Sequence, residues 1–165
     1  MTAAAAVPPP PSQRVSTRAV GYWTVRALPL WVVVAGTETA VLVPTRPPTA
    51  VWAPIVAVTL LAAVTHVLLM PRVRYRIHRW ERSDVAFQTQ SGWLVVERRI
   101  APMSRVQTVD VERGVVENLF GLATLTVTTA SAAGPLKVPA LDRPTADRLA
   151  EDLGRIAGAS PDDAT

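Results

Sequence analysis

Ala50-Val-Trp-Ala-Pro-Ile-Val-Ala-Val-Thr-Leu-Leu-Ala-Ala-Val-Thr-His-Val-Leu-Leu-Met70 carries no charged side chain. It meets the length of about 20 apolar residues that a bilayer-spanning helix needs. A second apolar stretch, Ala27 to Val43, precedes it, and only Pro44-Thr-Arg-Pro-Pro48 and Thr49 lie between them. The pair reads as a two-helix transmembrane hairpin over residues 21–70, with spans at about 25–43 and 50–70. The first span is shorter, but Val25 and the interfacial Gly21-Tyr22-Trp23 lengthen it. Trp31 and Trp52 suit aromatic belts near opposite helix ends. The basic run Arg72-Val-Arg-Tyr-Arg-Ile-His-Arg79 follows directly, so the rest of the chain is delivered to a membrane surface.

Arginine placement sets the expected orientation. Arg14, Arg18 and Arg26 precede the first span, Arg46 alone lies between the spans, and Arg72, Arg74, Arg76, Arg79 and Arg82 follow the second. The positive-inside rule then places both termini in the cytoplasm of a multi-pass cell-membrane protein. Glu38 falls in the outer leaflet, where it snorkels to the interface or bonds the other helix. His66 falls near the cytoplasmic end of the second span as an interfacial histidine. On that placement the two do not meet as a proton-relay pair.

The average composition, 49% hydrophobic with a mean hydropathy of +0.24, hides two unlike parts. Beyond Pro71 the chain is long enough for one small domain with its own core. Cysteine is absent, which excludes disulfides and cysteine-held zinc. The net charge of +4 is mild and much of it clusters beside the spans. That favours anionic headgroups over nucleic acid as the electrostatic partner. Residues 1–20, Ala/Pro-rich at the start, are expected to be disordered, as is the tail 158–165. Residues 1–13 lack the basic start and unbroken apolar centre of a signal peptide.

Residues 71–157 read as a mainly-β domain. Val73 to Trp80 sets Val73, Tyr75 and Ile77 against Arg72, Arg74 and Arg76, which predicts a basic strand. Val85 to Thr89 and Trp93 to Ile100 predict a hairpin about a Gln90-Ser91-Gly92 turn. Val106 to Glu112 and Leu122 to Thr129 alternate with period two, and Leu136 to Ala140 predicts a last short strand after the Ala130–Gly134 loop. From Pro144 the period changes: Ala146, Leu149, Ala150, Leu153, Ile156 and Ala157 make the apolar stripe of an amphipathic helix. Strands of this kind with one terminal helix suggest a small antiparallel barrel or sandwich whose open end the helix covers. Pro102 is expected to end one strand's ladder and Arg105 to begin the next. Gly121 permits a strained turn, with Leu119 and Phe120 as core plugs beneath it.

Three motifs occur in order: Ile100-Ala-Pro-Met-Ser-Arg-Val-Gln-Thr-Val109, Asn118-Leu-Phe-Gly-Leu-Ala-Thr-Leu-Thr-Val-Thr-Thr129, and the Ala-rich helix. Together they resemble the YdbS-like family of bacterial pleckstrin-homology-like (PH-like) membrane proteins, over roughly Tyr22 to Ala157. The resemblance implies a PH-like barrel capped by a C-terminal helix, placed after the transmembrane hairpin. It also implies a capacity to form oligomers.

Catalysis finds no support in these residues. The domain's one histidine, His78, sits in the basic run and reads as a surface group at the lipid interface. No Ser-His-Asp order, phosphate-binding glycine loop or paired-histidine metal spacing is present. No catalytic, cofactor or metal site is expected. Arg72, Arg74, Arg76 and Arg79 are expected to contact the membrane surface, at about 1 kcal/mol per basic residue near an anionic leaflet. Arg98, Arg99 and Arg105 form a candidate interaction patch, although basic residues that guard an exposed edge explain them nearly as well. Eukaryotic PH domains that hold inositol phosphates place several basic residues in the turn between their first two strands. Here that turn is Glu81-Arg82-Ser83-Asp84, with a single arginine. The expectation is therefore a non-enzymatic, membrane-anchored module for protein–protein interaction or assembly, with a bilayer and a membrane or cytoplasmic protein, a second copy among the candidates, as partners and no nucleic acid. The alternative is an anionic-lipid headgroup binder.

Overall fold

A computed structural model describes residues 9–131 and 134–158. The expectations of disorder over 1–8 and 159–165 lie outside the described residues. Helix α1 runs Ala19–Thr45 and α2 runs Thr49–Ile77. At 27 and 29 residues they are about 40 Å long at helical rise, more than the ~30 Å apolar thickness of a bilayer. Both are long and apolar enough to cross a membrane.

Their antiparallel register is marked by side-chain pairs. The Trp31 indole N–H donates to His66 Nδ1 at 3.0 Å. The Thr59 hydroxyl donates to the Glu38 carboxylate, the helix–helix bond foreseen for that acid. The Arg74 guanidinium lies 5.1 Å from the Trp23 ring centre. Equal steps along both helices connect these pairs, so Ala27 stands level with Met70. Beyond that level each helix continues past its apolar span into the domain, where Ala19, Tyr22, Trp23 and Pro71 are buried.

That continuation corrects the expected basic strand at Val73 to Trp80. The helix persists to Ile77, and only Arg79–Arg82 form strand β2. Alternation of Val73, Tyr75 and Ile77 fits a strand, and the helix that forms instead places Tyr75 opposite Val73 and Ile77. What decides is that α2 arrives with its hydrogen-bond ladder intact, and the Arg74 side chain finds the Trp23 face.

A second correction concerns the N-terminal segment. Gln13–Arg14 form strand β1, which pairs antiparallel with β2 through Gln13↔Trp80 and Arg14↔Arg79. Pro11 and Val15 are buried. The Ser16 hydroxyl donates to Asp142 at 2.7 Å, and its amide donates to the Ala140 carbonyl at 3.1 Å. Residues 9–20 are therefore part of the fold, and the helical hairpin is a long insertion between two paired strands. Both of its ends enter one sheet, so the segment before α1 and the domain after α2 lie on the same side of it. The domain does not begin at residue 71.

Strand β3 is Ala86–Gly92 and β4 is Val96–Pro102; they complete a four-stranded sheet in the order β1-β2-β3-β4. The turn is Trp93–Val95 instead of the expected Gln90–Gly92. Gly92 has φ +132°, and a Cβ there would stand 1.9 Å from the Val95 carbonyl oxygen, so the chain reverses where only glycine fits. After a 3-10 turn at Met103–Arg105, β5 (Val106–Glu112), β6 (Leu122–Thr129) and β7 (Leu136–Asp142) form a second sheet. The final helix α4 spans Arg143–Gly158 and buries Ala146, Leu149 and Leu153. The two sheets are separate, so the expected barrel is not closed.

Between β5 and β6 lies a short helix, α3, Val115–Phe120. Glu117 fixes its start: the buried carboxylate accepts from the Gly114 amide at 2.9 Å and the Thr124 hydroxyl at 2.6 Å. Gly121 ends it at φ +66°. Phe120 packs edge-on to Tyr22, with ring centres 6.4 Å apart. Leu119 is no core plug: it is 80% exposed, because the helix turns it away from α1.

Candidate functional site

Among the described residues, the outer edge of β4 has no strand neighbour in the four-stranded sheet. Where that edge faces the end of β6 and the start of β7, the open seam forms a cleft of about 380 Å³. Its lining includes Arg99, Ile100, Arg105, Thr129, Ser131 and Leu136. Val96 and Ile100 stand exposed along the same strand. The Arg99 guanidinium donates to the Pro135 carbonyl at 2.8 Å and to Glu97 at 2.7 Å. It thereby links β4 to the loop before β7. Arg105 is exposed at the other end of the seam.

Arg98 also borders the cleft, but its guanidinium is engaged elsewhere. It donates to the Gln88 side chain at 2.7 Å and to the Pro9 carbonyl at 2.6 Å. Consecutive strand residues point to opposite faces, so Arg98 holds the N-terminal segment while Arg99 serves the seam. All three arginines border the one cleft, with the guanidinium of Arg98 engaged by Gln88 and Pro9.

The predicted membrane-contact arginines divide in the same way. Helical spacing puts Arg72 and Arg76 together on an exposed face of α2. Arg74 turns inward over Trp23, and Arg79 leads into β2. A strand would have set Arg72, Arg74 and Arg76 on one face.

His78 is likewise not the surface histidine expected. Only 2% of it is exposed, and its ring lies 4.9 Å from that of Trp23. Burial pushes its pKa down to about 4, and the nearby Arg74 charge adds to this against an opposing hydrogen bond to the Arg74 carbonyl. A neutral ring uses its Nδ1–H to donate to that carbonyl at 2.8 Å. Trp23, Arg74 and His78 thus pin the end of α2 to the start of α1. No short motif announces this, because Trp23 and His78 are far apart in sequence. A tryptophan just before an apolar span was the available signal.

Among the described residues, no cluster of three or more His, Asp or Glu stands as a metal site. The arrangement offers an open strand edge, a basic seam and a rigid connection to two apolar helices.

A family model described as "Bacterial PH domain" matches residues 20–157. This chain belongs to the bacterial PH domain family. The match takes in both apolar helices, in keeping with the way the hairpin is built into the bacterial PH domain's sheet. The chain is also 38% identical over 107 residues to transmembrane protein YdbS of Bacillus subtilis (strain 168). That alignment covers 65% of this chain and 66% of the relative. No solved structure matches. The protein is thus a transmembrane-protein homologue carrying a bacterial PH domain, and no catalytic family is indicated.

Proposed function

We propose that this protein is a multi-pass cell-membrane protein with both ends in the cytoplasm, whose bacterial PH domain works by docking a protein segment and not by catalysis. The observation that carries this reading is the outer β4 edge, which has no strand beside it among the described residues, next to the basic seam. An exposed strand edge offers a row of backbone donors and acceptors, and such edges recruit extended segments of other chains. Arg105, exposed at the seam, favours a segment with acidic side chains. The excess of arginine flanking the two spans supports the cytoplasmic assignment.

The alternative, a specific headgroup reader, has less support. The Arg79↔Gln90 pairing and the Gln90 side-chain bond to the Ile77 carbonyl at 3.3 Å set the start of β2 beside the end of α2. The turn after Arg82 lies at the far end of β2 and carries little positive charge. Arg72 and Arg76 supply a non-specific attraction to anionic lipid instead.

The test is photo-crosslinking in native membranes from a reactive residue at Ile100, compared with one at the opposite end of the fold. A recurrent protein adduct from Ile100, lost in the Arg99→Glu/Arg105→Glu variant, supports docking at the seam. Lipid adducts alone, or protein adducts indifferent to those charges, contradict it. For topology, a reporter active only in the cytoplasm should work when fused after Thr165 and fail at Arg46.

A further inference from the structure

We propose that the β3–β4 tip, Trp93-Leu94-Val95, is seated in the lipid of the leaflet through which α1 and α2 pass into the domain. The inference rests on the hairpin crossing a bilayer, and is independent of what docks on β4.

Strand direction brings the tip to the membrane. Gln90 bonds the carbonyl of Ile77, at the last residue of α2. Three residues further on, the Trp93 ring lies 6.0 Å from that of His66. From Ile77 to His66 the helix rises about 16 Å. The β3–β4 hairpin therefore runs back alongside α2, toward its apolar span. His66 lies four residues beyond Met70, or about 6 Å deeper along the helix. Met70, level with Ala27, is the last residue before the basic stretch of α2. That depth matches the ~5–10 Å to which amphipathic elements settle at the headgroup–acyl boundary.

The residues at that depth suit lipid. Leu94 and Val95 are each 79% exposed, and Val96 is exposed beside them. No charge occurs from Ser91 to Val96. A contiguous apolar tip is costly in water and marks an interaction site. The nearby segment of α2 exposes Leu68 and Leu69, whose occupant is lipid by virtue of the span itself. The tip continues that apolar band. Trp93 has an apolar body and one N–H, the combination enriched at membrane interfaces. Gly92 closes the turn tightly enough to project its side chains together.

The chain has no cysteine, so single labelled sites are available in the full-length protein. Leu94→Cys, Val85→Cys and Val58→Cys, each carrying an environment-sensitive fluorophore, are placed in nanodiscs of phosphatidylcholine and phosphatidylglycerol. Val85 is exposed at the β2–β3 turn and Val58 lies exposed at mid-α2, so neither label disturbs the core. The Leu94 label is expected to emit to the blue of the Val85 label. Nitroxides on the lipid acyl chains should quench it at least half as strongly as the Val58 label. Aqueous iodide should quench it several-fold less than the Val85 label. Equal iodide access at Leu94 and Val85 overturns the proposal. Protection of Leu94 from both quenchers also overturns it, by assigning the tip to a protein contact. If the Val58 label escapes the acyl-chain quencher, the hairpin does not span, and the proposal falls with it.

Discussion

β6, at the centre of the three-stranded sheet, buries Leu122, Ala123, Leu125 and Val127, whereas β3, inside the four-stranded sheet, buries Phe87, Gln88 and Thr89 in succession. The first sheet is covered by the apolar stripe of α4, which follows it directly in the chain. The second depends on groups brought from elsewhere. Arg98 bonds buried Gln88, and Trp23 and His78 close the end nearest the spans. β1 precedes the hairpin in the chain. The start of the hairpin reaches both sheets, since Ser16 just before α1 bonds β7 and Tyr22 packs on Phe120, but only the four-stranded sheet takes a strand from across the hairpin. Substitutions should therefore act globally in the first sheet and should couple to the hairpin in the second.

The largest effect is expected from Leu153→Asp, which places an unpaired carboxylate where α4 meets the three-stranded sheet. A loss of about 4 kcal/mol or more follows from burying that charge and losing the leucine, enough to unfold a marginal domain. Circular dichroism melts of the detergent-solubilised protein should lose the β-sheet transition. An unchanged melt would mean that α4 is not the cover of this sheet.

Next is truncation to residues 71–157, which removes β1 and the buried Val15, Ala19, Tyr22 and Trp23. Amide exchange should remain slower in β6 and α4 than in β2–β4, whose edge strand and Trp23 cover are lost. Equal protection in both sheets would erase the contrast between them.

A smaller, graded effect is expected with pH. His78 has a folded pKa near 4, against about 6.5 when unfolded. Between these values the unfolded chain binds more protons, so stability is full above pH 6.5 and declines as pH falls toward 4. The contribution of this group to that decline is about 3 kcal/mol. His78→Gln should flatten the slope of unfolding free energy in this window; an unaltered slope would place the responsible group elsewhere.

Sequence legibility follows the same division. The bounds of β5 and β6 coincide with the alternating runs Val106–Glu112 and Leu122–Thr129, and α4 with its stripe, because local periodicity marks these elements, although the central strand β6 buries Thr126 as well as Leu125 and Val127. In the other sheet local periodicity marks less. Two residues of β1 are too few to show a period, and its partner β2 lies beyond an insertion of two long helices. Residues 73–77 alternate with a strand period, and the incoming helix overrides it. α3 is too short to reveal a stripe, and its start depends on Glu117, whose partner Thr124 lies in the next strand. At the candidate site, the arginine-rich segment around residue 100 was legible as a feature. The separation of Arg98 from Arg99 follows from strand alternation, once the strand is known to be the sheet's free edge.

The central claim is that the membrane hairpin is inserted between paired strands, so that span and domain form one unit. Arg14→Cys/Arg79→Cys tests it most directly. The two positions are direct antiparallel partners, and such neighbours lie ~4.5–5.5 Å apart between Cα atoms, within disulfide range. Mild oxidation of the full-length double variant in nanodiscs should yield a rapid intramolecular disulfide, while Arg14→Cys/Arg105→Cys remains reduced. Failure of the first pair to close, in a variant whose amide exchange is otherwise unchanged, would contradict the insertion and leave the hairpin a separate anchor.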